Sequence, residues 1–344
     1  MNHKFFMKKI KIKKKNFLVR FLIKILRKIG YEIIDQSDLT IQKSSETLDK
    51  ETDVQYCSIT LPLGKINLER KIKNVLVIQR VFTKENQLLS QNKKRIFEED
   101  KKEYSLRSIF SILKSCEYAN KVDEELKFII KIIDDNSNIE VIKQIKKIIE
   151  KFKKLNIEII NLKVSNYESK MNFSNNSRYM AHNAHIYQSK EIALNTVSDA
   201  VYFVEDDYIH QKECLYEMIK SYEKFENQSQ NDLVLLPTDY PYLYFDTKKS
   251  SILIGNCLHW RIVDQSLCTY FTTKKFVKKY WTYFEQMMTN INDPYEKPLH
   301  ELYEKTLCLS PIPSLAVHLT NINSIYGISP TINVKKLWKE NNYE

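Results

Sequence analysis

Only four glycines and eight prolines are spread over the 344 residues. That scarcity excludes the glycine-rich loops whose amides cradle phosphate, and no GxGxxG or Walker-type pattern occurs. No CxxC pair exists either. The six cysteines (Cys57, Cys116, Cys214, Cys257, Cys268 and Cys308) therefore read as small apolar side chains in a reducing compartment. No apolar run approaches the ~20 residues that cross a bilayer, and no signal peptide is recognisable. Acid is missing from one place. Residues 1–30 hold nine Lys and two Arg with no Asp or Glu. Removing those eleven from 54 basic residues leaves 43 against 43 acidic ones, so the net charge of +11 belongs to the N-terminus. The neutral remainder has no electrostatic footprint for nucleic acid, and no nucleic-acid partner is expected.

What is present begins with that N-terminus. In "NFLVRFLIKILRKIGYEII" the residues Arg20, Lys24, Arg27, Lys28 and Tyr31 fall on one side at helical spacing. Phe17, Phe21, Leu22, Ile25, Leu26 and Ile29 fill much of the rest. Residues 1–34 are expected to form a basic amphipathic helix that lies on an anionic membrane surface, with residues 1–30 making the contact. A helix packed on the body is the plain alternative. Residues 35–70 read as a linker with one short strand.

Beyond residue 70 apolar runs alternate with amphipathic stretches. Strands are expected at 74–82, 126–133, 157–162 and 200–204. Helices are expected at 105–116, 138–155 and 178–197. Such alternation implies βαβ units and a mostly parallel sheet covered by helices, an α/β fold. Residues 71–210 would form one half and 211–344 the other. Ligands of such sheets sit beyond the carboxyl ends of the strands. Asp134 and Asp135 end one strand. In "AVYFVEDDYIH" Glu205, Asp206 and Asp207 end another. Strand alternation turns Glu205 and Asp207 to one side and Asp206 to the other. Without a cation the three charges raise each other's pKa. Mn²⁺ or Mg²⁺ suits a pair of carboxylates and leaves positions for phosphate oxygens. A solvated acidic loop is the alternative.

The stretch "NNSRYMAHNAHIYQSKEIALNTVSDAVYFVEDD" resembles the central region of GT-A glycosyltransferases, particularly of the family 2 type. In those enzymes a helix with Arg and Asn, a turn with Asp and a buried strand precede a DxD metal motif. Here Arg178, Asn183 and Ala193 lie on the helix, Ser198-Asp199 makes the turn, and Glu205-Asp206-Asp207 stands as ExD. The likeness covers residues 74–210 in order. It departs where the family has a Gly and this chain has Asn175-Asn176-Ser177, in the separation of Arg from Asn, and in Glu at the first motif position. The resemblance implies a Rossmann-like GT-A fold. It implies donor binding by Arg80, Asp134, Asp135, Arg178, Asn183 and Asp206, and metal binding by Glu205 and Asp207, with a late His, His318, as a further ligand.

The second half would build the acceptor site. Tyr240, Tyr242, His259 and Trp260 are the candidates to meet a sugar ring. Asp239, Asp264 and Glu301 are alternative bases for the acceptor hydroxyl. The expected activity is metal-assisted, hexosyltransferase-type transfer from a nucleotide-sugar donor to a cell-envelope or lipid-linked glycan. The expected location is the cytoplasmic face of the membrane. An inactive GT-A-like protein recruited to the membrane, or another metal-dependent phosphotransferase, are the alternatives.

Overall fold

The computed structural model describes residues 17–31, 71–84, 96–97, 99–173, 179–229, 231–245, 249–319 and 324–344. The expected linker at 35–70, Cys57 and Arg178 lie outside them. Helix α1 spans Phe17–Lys28. Phe17, Leu18, Val19, Phe21, Leu22 and Ile25 are all exposed on it, as is Ile29 just after it, whereas Ile23 is buried. No helix among the described residues is long and apolar enough to cross a membrane.

The fold is mixed α/β around one large sheet. Strands β1 (Asn74–Val81), β2 (Lys127–Asp134), β3 (Asn156–Asn161) and β4 (Ala200–Val204) alternate with α2 (Lys101–Val122), α3 (Ile139–Glu150) and α4 (Met180–Asn195). The expected strands of residues 74–204 thus form to within one residue of their expected ends, whereas α2 starts four residues earlier and ends six later than expected and α3 stops five residues short. After β4 come β5 (Tyr208–His210), α5 (Cys214–Ser229) and β6 (Leu233–Leu235). Strands β7 (Ile252–Ile254), β8 (His259–Val263) and β9 (Tyr270–Thr273) follow, then α6 (Lys274–Lys279), α7 (Trp281–Thr289) and α8 (Lys297–Tyr303). The chain closes with β10 (Leu307–Ile312), β11 (Ala316–His318) and α9 (Val334–Glu340).

Nine strands form one sheet in the order β3-β2-β1-β4-β9-β6-β10-β8-β7. Only β9 and β8 oppose the others, so seven strands run the same way and the sheet is mostly parallel. It runs without a break through both expected halves.

Strand β1 shows why the apolar run does not alternate. Val75 and Val77 point into a core with Leu106, Ile109 and Leu113 of α2 and Met218 and Phe225 of α5. Leu76 and Ile78 point to the opposite core, with Ala184 of α4 and Phe284 of α7. Both faces are buried, so both sets of side chains are apolar. The chain leaves β1 outward through β2 and β3, then returns to place β4 on the other side of β1. The ends of β1 and β4 therefore flank the topological switch point, where open α/β sheets bind ligands. Residues 205–207 begin there.

A second, two-stranded sheet is needed to complete that place. β5 pairs antiparallel with β11, with Tyr208 opposite His318. Apart from this pairing, 111 positions separate His318 from Asp207.

Candidate functional site

Each of the three adjacent carboxylates has its own protein cation, brought from a different element. Arg80 of β1 meets Glu205 Oε1 at 2.6 Å. Lys101 of α2 meets Asp206 Oδ1 at 2.5 Å. His318 of β11 holds Nε2 3.2 Å from Asp207 Oδ2. Mutual repulsion is therefore relieved inside the protein, which strand alternation alone does not reveal.

The three pairs differ in what they leave open. Asp206 is spent: Ser105 Oγ and the Phe82 amide donate to its Oδ2 at 3.0 and 2.8 Å. With Lys101 on the other oxygen, three protein donors hold this carboxylate. Glu205 is partly committed to Arg80, and burial raises its pKa against the pull of that guanidinium. Asp207 is the one with an unsatisfied oxygen. Its Oδ1 is buried without a hydrogen-bond partner. Burial alone would raise its pKa, but His318 outweighs burial and holds it below the usual carboxylate range.

His318 is oriented from its far side. Its Nδ1 lies 2.8 Å from the Tyr326 carbonyl, which only an N–H can satisfy. Nε2 then faces Asp207 either as N–H⁺ or as a lone pair. A lone pair against a carboxylate oxygen is repulsive unless a cation lies between them. Burial lowers the imidazole pKa, yet Asp207 prevails and lifts it to about 9. Tyr208 stacks on the ring at a centroid distance of 4.8 Å and fixes its plane.

Among the described residues no group of three or more His, Cys, Asp or Glu side chains converges as a metal centre. The donor set is a pair, Asp207 and His318, with Glu205 turned to Arg80. A pair fits a divalent cation that shares substrate phosphate oxygens and water as its other ligands. The orphaned Asp207 Oδ1 and the carbonyl-anchored imidazole, a usual outer-shell arrangement for a ligating His, agree with that fit.

Asp134 and Asp135 end β2 beside β1, as expected. Asp134 Oδ2 accepts from the Ser137 amide at 3.1 Å, and its Oδ1 is buried and unpartnered. Asp135 Oδ1 accepts from Asn136 at 3.1 Å, and burial raises its pKa.

Asn183 is fully buried and donates to the carbonyls of Met288 and Asn290. It ties α4 to the end of α7, while its Oδ1 is buried without a partner. The helix has one face toward the sheet and one toward α7, and sequence spacing does not distinguish them.

On the other side of the turn, Tyr240 is buried and shares a 2.6 Å hydrogen bond with Tyr208. Tyr242 and Tyr326 are half-buried and tilt against each other at 5.2 Å. Trp260 is wholly buried against Phe225, its indole packed over Gly255, so it has no face for a sugar. An aromatic side chain in a sequence carries no sign of whether it fills a core or a cleft. His259 is exposed on β8.

Asp239 is buried, with Arg261 at 2.5 Å and the Tyr244 hydroxyl on its other oxygen. Both oxygens are engaged, and the two partners hold the carboxylate in place. Asp264 and Glu301 are exposed, past the end of β8 and on α8.

The residue that sequence reasoning missed is Glu296, just before α8. Burial, and then the charge of Glu205, push its carboxyl up to about 7. Tyr240 and Tyr326 also lie within its electrostatic reach. Cys268 is its near neighbour, with Sγ at 3.7 Å from Oε1. In the sequence Glu296 is one acid in "DPYEKPLHELYEK", with no motif to mark it.

No family model matches the sequence, and no curated protein matches it. Among solved structures the fold is similar to the apo structure of the WbbM bifunctional glycosyltransferase. The identity is 10% and the TM-score 0.32, over 75% of this chain. The chain spans 38% of the length of that structure.

Proposed function

We propose that the chain transfers a glycosyl group from a nucleotide-sugar donor to a cell-envelope or lipid-linked glycan, at the turn following β4. The observation that carries this reading is the Asp207–His318 pair at the switch point, with one buried carboxylate oxygen unpartnered. Asp207 and His318 would hold Mn²⁺ or Mg²⁺, which would supply positive charge for a departing nucleoside diphosphate. Arg80, anchored on Glu205, adds a fixed guanidinium beside the same phosphates. Asp134 offers its unpartnered Oδ1 to a ribose hydroxyl or base N–H. Glu296 takes the proton from the acceptor hydroxyl, because a carboxylate titrating near neutrality is both ionised and basic enough. Tyr242 and Tyr326 provide the aromatic face for the acceptor ring.

A thermal-shift series with nucleotide sugars, with and without Mn²⁺, tests this. Binding stabilises the folded state by mass action. One donor is expected to raise the melting temperature only when Mn²⁺ is present. The three internal ion pairs favour a second reading, an inactive GT-A-like binding protein. A shift with a ligand that is indifferent to Mn²⁺, without release of nucleoside diphosphate, would select it.

The reading extends to the N-terminus. The exposed apolar residues Leu18, Val19, Phe21, Leu22 and Ile25 of α1 cover one broad arc, and Lys24, Arg27 and Lys28 stand off it. This is the pattern of a helix lying in a membrane interface, its apolar side among acyl chains and its cations at anionic headgroups. The enzyme would then work as a peripheral protein on the cytoplasmic face, where a lipid-linked acceptor is at hand. Deleting residues 1–30 is expected to abolish sedimentation with vesicles containing phosphatidylglycerol and to leave the melting temperature of the body unchanged. Undiminished vesicle binding would remove the membrane role. A body that unfolds would instead make α1 a packing element.

A further inference from the structure

We infer that Asp206 is a buried staple that sets the direction of its two neighbours, and that Lys101 is a positioning residue for the whole turn. Three groups from two separate pieces of chain meet on this one carboxylate. Phe82, just past β1, donates its amide to Oδ2; Ser105 of α2 adds its hydroxyl there; Lys101, in the first turn of α2, caps Oδ1. The Lys101 and Asp206 side chains keep only 8% and 13% exposure, so water cannot replace one partner for the other.

The neighbouring contacts run the same way. Ser108, one turn further along α2, reaches the Glu205 carbonyl at 3.4 Å and accepts from Gln79 at 2.7 Å. Thr269 accepts from the Glu205 amide at 3.0 Å. The Asp207 carbonyl accepts from the Leu319 amide at 2.9 Å, which couples the turn to the strand bearing His318. Glu205 and Asp207 adjoin Asp206 in the chain. A shift of its carboxylate must therefore swing both of them and alter the approach of Asp207 to His318. The start of α2 thus governs the geometry of the site without touching any ligand.

The effect on turnover rests on the glycosyltransferase reading, but the geometry does not. The test accordingly uses the metal-free, full-length protein and hydrogen exchange read by mass spectrometry. Lys101→Met is expected to speed exchange at least tenfold in peptides covering 205–208 and Leu319, while β2 and β3 keep their protection. Lys101→Arg, which keeps the cation, should stay within about threefold of wild type at the same peptides. Asp206→Asn should affect the same peptides, and the double variant should exceed neither single one, because both remove one interaction. Unchanged exchange at the turn, protection lost equally throughout the sheet, or Lys101→Arg no nearer wild type than Lys101→Met would each overturn the assignment. If Lys101→Met does not fold, Ser105→Ala decides: local acceleration at 205–208 supports the staple, and none refutes it.

Discussion

Replacing Asp207 by Asn is expected to lower turnover by about a hundred- to a thousandfold, the range seen when one preorganised charge-stabilising group is removed from an active site. Asn keeps the size of the side chain but removes the negative charge and the stronger ligand oxygen. The site then loses its hold on a cation and on the diphosphate together. The metal-free protein should also become less stable, because His318 loses the partner that lifts its pKa to about 9. The direction with pH follows from the two shifts. The depressed Asp207 pKa gives stability that is present above the ordinary carboxylate value of 3.8 and lost as pH falls through the folded value. The raised His318 pKa gives stability that is present below 6.5 and lost as pH rises through about 9. The stability gap between wild type and Asp207→Asn, read from denaturant melts, should therefore be widest near pH 5 to 6 and close above about pH 9. Full activity in the variant would leave the turn as an ordinary acidic loop and the glycosyltransferase reading without its centre.

Glu296→Gln should have the second-largest effect, a loss of about a hundredfold or more in kcat, within the usual range for general acid–base groups. The carboxyl is raised to about 7 by burial and by Glu205, so at neutral pH it is half protonated. A base works only when ionised. Wild-type kcat/KM, which reports the free enzyme, should therefore climb about tenfold per pH unit below 7 and level off above it. Glu296→Gln should remove that limb and leave a lower, flatter profile. Glu301→Gln, exposed on α8, serves as the comparison and should match wild type. A pH limb that survives in Glu296→Gln would assign it to another group and exclude Glu296 as the base.

The central place of Glu205-Asp206-Asp207 is readable because a strand buried on both faces must be apolar throughout. Five apolar residues followed at once by three acids mark a strand that ends in solvent or in a site. Arg80, Asp134 and Asp135 are readable for the same reason, at the ends of neighbouring strands. The individual roles within the acidic triplet are not. Alternation separates Asp206 from its neighbours but does not say that Lys101 and Ser105 wait for it on α2. Helical spacing makes Asn183 equivalent to any residue on an inward face, and hydrophobicity makes Trp260 equivalent to an aromatic of a binding cleft.

The order of strands and helices, the charge asymmetry of the N-terminus and the strand end at which chemistry gathers are all written in the residue order. These properties are local, set by the period of apolar residues and by which charges adjoin them. Which carboxylate keeps an unsatisfied oxygen, which is a staple and which acid titrates near neutrality emerge only on folding. Those roles depend on Lys101, His318 and Glu296, which reach the turn from distant parts of the chain through the packing of α2, the pairing of β5 with β11, and the half-buried position of Glu296 within the field of Glu205. Contact partners and local dielectric fix a carboxylate's role, and neither is a property of the neighbouring letters.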